Sequence, residues 1–220
     1  MLQTSMKSKF MHEFTFRQGQ AVFLEQVPMG EQTWRTRRWG KDLQVWMVEG
    51  RDFRSPNTDP DGPEKTIWGA EQKAWFRKSL EQSDATFKIL ISPTPVVGPD
   101  RPSKKDNHAN AGFAHEGAEI RSLLASRKNA FVICGDRHWQ YASVDPKTKL
   151  HEYSVGPASD EHAGGWKKDD FMPEYHKYMN VIGGFLSVTV DRENDHPVTT
   201  FRHYNTKGNV EHEDRIASQQ

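Results

Sequence analysis

In the stretch Phe131-Val132-Ile133-Cys134-Gly135-Asp136-Arg137-His138-Trp139, an apolar run ends and a carboxylate and an imidazole follow two residues apart. Asp supplies a hard oxygen and His a borderline nitrogen, a donor pair that suits Zn, Fe or Mn. Gly135 is expected to permit the close approach or unusual backbone angle that aims both groups inward. The competing reading is a surface turn with an Asp cap. A second cluster, Asp106-Asn107-His108-Ala109-Asn110, offers a carboxylate, an imidazole and two amide oxygens. Asn107, His108 and Asn110 are therefore candidate ligands, against the alternative of a polar turn entering a helix. Arg51 and Arg54 follow a short apolar segment and could clamp an anionic oxygen through the guanidinium fork, or form surface salt bridges.

Other chemistries drop out. The chain has no Gly-x-Ser-x-Gly, no Gly-x-x-x-x-Gly-Lys-Ser/Thr, no His-Glu-x-x-His and no Gly-x-Gly-x-x-Gly. Cys134 is the single cysteine, so an internal disulfide and a multi-cysteine zinc cluster are both excluded. It lies inside an apolar run, where a thiol is usually inert. Thirty Lys and Arg balance thirty Asp and Glu, so no net field steers the molecule toward nucleic acid or an anionic membrane. The basic run Arg35-Thr36-Arg37-Arg38 between Trp34 and Trp39 reads as a strand with one solvated basic face rather than a nucleic-acid contact. Ser159 to Trp166, rich in Gly and His, reads as a flexible loop or as a rim.

These residues need elements to place them. Gln44 to Glu49 and Phe87 to Ile91 read as buried strands, the second stopped by Pro93 and Pro95, with a long polar loop from there to about Asn110. Between them, Ala70, Ala74, Trp75, Phe76 and Leu80 recur at helical spacing over 69–82. A second helix is expected from Ala114 to Arg127, with Ile120, Leu123 and Leu124 as its apolar face and Glu116, Glu119 and Arg127 ordered to suit the helix dipole. Phe131 to Cys134 fits a strand covered on both faces. If it neighbours the Ile89 strand, the loops carrying Asp106 and Asp136 leave the same sheet edge and converge, where ligands of α/β sheets bind. Leu150 to Val155, Gly184 to Val190 and Val198 to Tyr204 are expected to pair as antiparallel strands. The alternation predicts an α/β layered fold with a mixed sheet and terminal antiparallel strands.

At 220 residues the chain fits a single domain, 1–220. Its hydrophobic fraction is 35%, and the composition is that of a folded, rather polar chain. No segment approaches the ~20 apolar residues of a membrane span, and Met1 to Phe10 contain no signal-type apolar run. The start leads directly into a strand-like segment, so truncation at the N-terminus is expected.

Several of these segments, in order, resemble the alkaline phosphatase D (PhoD-like) branch of the calcineurin-like metallophosphatases. Glu49-Gly50-Arg51-Asp52-Phe53-Arg54 is similar to that family's acidic-x-Arg-x-aromatic-Arg motif. Gly69, Gln72, Trp75, Leu80, Ser83 and Ala85 resemble its next helix, Gly112-Phe113 its Gly-Tyr, and Gly135-Asp136-Arg137-His138 its late Gly-Asp-x-His. The resemblance covers about residues 30 to 205. It implies half of a layered metallophosphatase sandwich, metal ligation by Asp136 and His138, and hydrolysis of a small phosphate ester or phosphodiester by metal-activated water. Divalent or trivalent ions such as Fe, Zn, Mn or Ca are implied as cofactors, the upstream part of the same protein as the source of the other ligands, and export of the parent family's members as common.

Two departures stand out. The family's earlier motifs are absent, so the resemblance is to the C-terminal half. Its Asp-x-Trp-Asp is replaced by Asp106-Asn107-His108-Ala109-Asn110-Ala111. A rival reading is a non-catalytic binding or structural module of degenerate metallophosphatase fold.

Overall fold

The structure, a computed structural model, describes residues 16–27, 29, 30, 32–167 and 171–219. The strand expected directly after Met1 lies outside those residues. The chain divides into two compact units at Arg35 and Thr36. The first contains a helix the sequence did not announce, α1 (Phe16–Gln26).

The second unit carries the sheets. In chain order it comprises β1 (Arg35–Trp39), β2 (Leu43–Met47), α2 (Gly69–Glu81), β3 (Phe87–Ser92), α3 (Ala114–Ala125), β4 (Ala130–Cys134), β5 (Gln140–Val144) and β6 (His151–Val155). After these come β7 (His176–Asn180), β8 (Gly184–Glu193), β9 (His196–Asn205) and β10 (Val210–Ala217). Seven strands form one sheet in the order β1-β2-β3-β4-β6-β5-β7, and β10-β9-β8 form a separate antiparallel sheet.

Strands β2, β3, β4 and β6 run parallel, with Val45, Ile89, Phe131 and His151 side by side. Their side chains alternate between two cores. Trp46, Leu90 and Val132 meet Phe76 and Leu80 of α2 and Ile120 and Leu124 of α3. Val45, Ile89, Phe131 and Tyr153 meet Phe201 of the small sheet, whose ring stacks on Tyr153 at 4.0 Å. Each such side chain taken fully from water stabilises by roughly 1.5–3 kcal/mol, which is why the strands of this central region read as nearly continuous apolar runs. Trp46 is fixed further by an edge contact with Phe76 and by its indole N–H donating to Ser79 Oγ at 2.9 Å.

The antiparallel expectation holds for β8 and β9. It holds only on one side of β6, which pairs antiparallel with β5 but parallel with β4. The strand slots between the two, inside the main sheet. Its alternation misleads because Glu152 and Ser154 point to one face yet are fully buried among hydrogen-bond partners.

Candidate functional site

Because β2, β3 and β4 are parallel and in register, the loops that follow them leave the same sheet edge. The β4 loop is the turn Gly135 to Trp139. The unusual backbone angle falls on Asp136, at φ 64°, and not on Gly135, where an added Cβ would meet only ordinary contact. An aspartate tolerates this left-handed conformation better than most residues. Asp136 and His138 are exposed, while Arg137 between them is buried. Its Nη1 donates to Asp100 Oδ2 at 2.7 Å and its Nη2 to Asp136 Oδ2. Burial works against the guanidinium charge, but Asp100, Asp136 and Asp106 hold its pKa above the usual arginine value.

The β3 loop is built around buried carboxylates. Glu152, from β6, accepts the backbone N–H groups of Val96, Val97 and Gly98 at 2.6–3.0 Å, and the Tyr141 hydroxyl at 2.8 Å. Two residues on, Asp100 accepts Asn107 Nδ2 at 2.7 Å beside Arg137. The loops of β3 and β4 therefore meet, joined through Asn107, Asp100, Arg137 and Asp136. The donor atoms of the candidate ligands in this loop are engaged within the loop for the two asparagines and with α3 for His108. Asn107 Oδ1 accepts the Ala109 N–H, and Asn110 Oδ1 accepts the Gly112 N–H. His108 is buried, with Nε2 donating to Glu116 Oε2 at 2.9 Å and its ring edge-on to Trp68. Glu116, expected to serve the helix dipole, is a buried anchor that also accepts the Ile67 N–H and the Thr66 hydroxyl. Burial alone would raise its pKa; His108 and those two donors outweigh it and bring the carboxyl down to about 2.

The β2 loop brings the two arginines. Glu49 Oε2 accepts the N–H groups of Arg51 and Asp52, closing the turn, and the Gln72 side chain fastens that turn to α2. Burial pushes the Glu49 carboxyl up from its ordinary value. Arg51 is exposed. Arg54 lies over the Phe113 ring at 5.0 Å, with Nη2 donating to the Asp106 carbonyl at 2.7 Å and to Asn57. Burial and the Arg51 charge lower the Arg54 pKa, and the charges of Asp106 and Asp136 act against that. Arg54 is thus within electrostatic reach of the β3 and β4 loops.

The loop Ser159 to Trp166 is tied to this turn, where the Gly164 N–H donates to the His138 carbonyl and Trp166 stacks on Trp139 at 5.0 Å. Sequence reasoning missed Asp100, Glu152 and the burial of Arg137. The readable signal was a lone Glu in the middle of a β-rich run. Among the described residues, no group of three or more His, Cys, Asp or Glu side chains is gathered for a metal ion. Asp136 and His138 are both exposed on this one turn, and among the described residues only Oδ2 of the carboxylate is engaged in a hydrogen bond.

Fold and site together define an α/β protein with a mixed seven-stranded sheet, a separate antiparallel sheet and a cluster of acids, arginines and a histidine at the carboxyl ends of its parallel strands. The chain belongs to the PhoD-like phosphatase family, whose sequence model matches residues 11–195. Its fold is similar to the solved structure of PhoD, with a TM-score of 0.68 at 16% identity, over 90% of this chain and 48% of that one. A second match is GAP50, the anchor in the inner membrane complex of Plasmodium, with a TM-score of 0.48 at 15% identity, over 85% of this chain and 54% of that one. The chain spans about half the length of these structures. No curated protein matches the sequence. PhoD-like phosphatases are generally metal-dependent.

Proposed function

We propose that this chain carries part of the metal site of a phosphoesterase that hydrolyses small phosphate esters or phosphodiesters. The observation that carries the reading is the turn Asp136 to His138, which carries an exposed carboxylate and an exposed imidazole at the carboxyl edge of the parallel strands, within electrostatic reach of Arg54. Asp136 and His138 would hold a metal ion, with Fe, Zn, Mn and Ca as the candidates. Such an ion supplies Lewis acidity at the phosphoryl oxygens and activates a water for attack.

The chain's own residues do the rest. Arg54 is preset by Asn57 and the Asp106 carbonyl, which take Nε and Nη2 and leave Nη1 to meet an anionic oxygen. Exposed Arg51 adds a second positive charge at the same turn. Asn107, His108 and Asn110 shape the β3 loop through the hydrogen bonds described above. Two donors do not complete a site of four to six ligands, so further ligands come from outside the described residues. This chain alone is therefore expected not to be a competent phosphatase, and turnover is expected only of a form carrying the full ligand set.

The test, in a form of the protein that carries the full ligand set, is release of phosphate from a chromogenic monoester, with each metal supplied in turn. We expect metal-stimulated release that falls at least ~100-fold in Asp136→Ala or His138→Ala, since each loss exceeds the 10- to 100-fold cost of an outer-shell change. Melting temperatures should stay close to that of the parent chain. Wild-type turnover in both variants, or turnover indifferent to metal, sinks the reading.

A further inference from the structure

We propose that Arg137 is a positioning residue that holds Asp136 in its ligating orientation, with Asp100 as its anchor. The inference rests on the reading of Asp136 as a metal ligand and names what aims it.

Asp136 stands at an exposed, left-handed position, and its one side-chain restraint among the described residues is Arg137 Nη2 on Oδ2. With that oxygen held, the carboxylate cannot rotate freely, and Oδ1 accepts no hydrogen bond among the described residues. The guanidinium in turn has nowhere to go. It is buried, spans two carboxylates with separate nitrogens, and lies 5.9 Å from the Trp139 ring centroid. A lysine would keep the charge but could not bridge both acids in a fixed plane.

The anchor is equally fixed. The Asp100 side chain is fully buried, its Oδ1 accepts the Arg101 N–H at 2.8 Å, and its Oδ2 accepts Asn107 Nδ2 beside Arg137. The backbone just before it is pinned by Glu152. Hydrogen bonds and two residues of backbone therefore connect the middle of β6 to one oxygen of Asp136. Outer-shell partners of this kind orient ligands, and their loss typically costs 10- to 100-fold in metal affinity.

The alternative is that Arg137 only neutralises buried Asp100, and metal affinity at constant stability separates the two. The experiment titrates Zn2+ alone into the 220-residue chain by calorimetry, beside thermal melts, for the parent and for Asp136→Asn, His138→Ala, Arg137→Lys and Asp100→Asn. Arg137→Lys keeps a cation beside Asp100, so its melt should stay near the parent's while Zn2+ affinity falls about 10-fold or more. Asp100→Asn, which loosens the anchor and leaves Arg137 in place, should weaken binding by a smaller factor. If Arg137→Lys does not fold, Asp100→Asn alone decides. Parent-like affinity in every folded variant of Arg137 and Asp100, with binding lost in Asp136→Asn, overturns the positioning role and leaves the site reading intact. A parent chain that takes up no Zn2+, or whose uptake ignores both Asp136→Asn and His138→Ala, overturns the site reading and this inference together.

Discussion

Glu116 and Gly117 sit side by side in α3, and each does something that helical periodicity does not report. Gly117 lies so close to the β3 loop that an added Cβ would come 2.2 Å from the His108 carbonyl oxygen. Helix propensity alone says Gly117→Ala should stabilise by roughly 0.5–1 kcal/mol. We expect the clash to win and the variant to lose about 1–3 kcal/mol, as over-packed cores do, seen as a lower melting temperature. A stabilised variant would show that the loop yields. Glu116 has its folded pKa depressed from 4.5 to about 2, so its contribution is fully present above pH ~4.5 and is lost as pH falls toward 2. That contribution is on the order of 3 kcal/mol. Acid titration of stability should therefore be visibly flatter below pH ~4.5 in Glu116→Gln, which is itself less stable at neutral pH. At this scale the sequence pointed to two loops that do meet, but not to which of their side chains are buried. Asp136 and His138 are exposed, whereas His108 looked the same in sequence and is a buried partner of Glu116. A lone histidine does not announce which side of a loop it faces.

The elements that the sequence made plain are those that bury an apolar run or an apolar stripe. Strands β2, β3 and β4 and helices α2 and α3 all carry apolar runs or stripes. Strands β5, β7 and β10 did not, because their inward faces are filled by polar and aromatic groups. In β10, His212 stacks on Tyr178 at 4.7 Å, and Asp214 accepts the Tyr153 hydroxyl at 2.6 Å. Buried histidines are part of the same pattern and give a test. Burial lowers His176 of β7 and His203 of β9 to about 4, although the bond from His203 Nε2 to the Ser154 carbonyl works the other way. Both are held neutral in the fold, so the unfolded chain binds more protons between pH ~6.5 and ~4, and stability must fall across that window. We expect thermal melts to drop steadily from pH 7 to pH 4.5, and His203→Gln to lessen the drop. An identical pH profile in that variant would mean His203 charges without cost.

For the whole molecule, what lies uncovered is as informative as what is packed. Met47, Ile91 and Ile133 stand in register at the carboxyl end of three neighbouring strands, half-buried or exposed. Such a row favours association, so Ile91→Lys should reduce concentration-dependent self-association in sedimentation velocity, and equal sedimentation of the two proteins would count against it. The β1 edge is managed differently: Arg37 and Arg38 are exposed on it, and charged edge strands resist pairing with other chains. Glu152 adds a dimension of time. Its carboxylate closes on backbone 54 to 56 residues earlier in the chain, and β6 enters between β4 and β5 only after both have been made. As the chain emerges from the ribosome, the segment that anchors Arg137 stays unset until the middle of β6 arrives. Once set, it belongs to the sheet: the amides of Val96, Val97 and Gly98, though in a loop, should exchange with solvent deuterium as slowly as those of β4, and fast exchange there would mean the loop opens on its own.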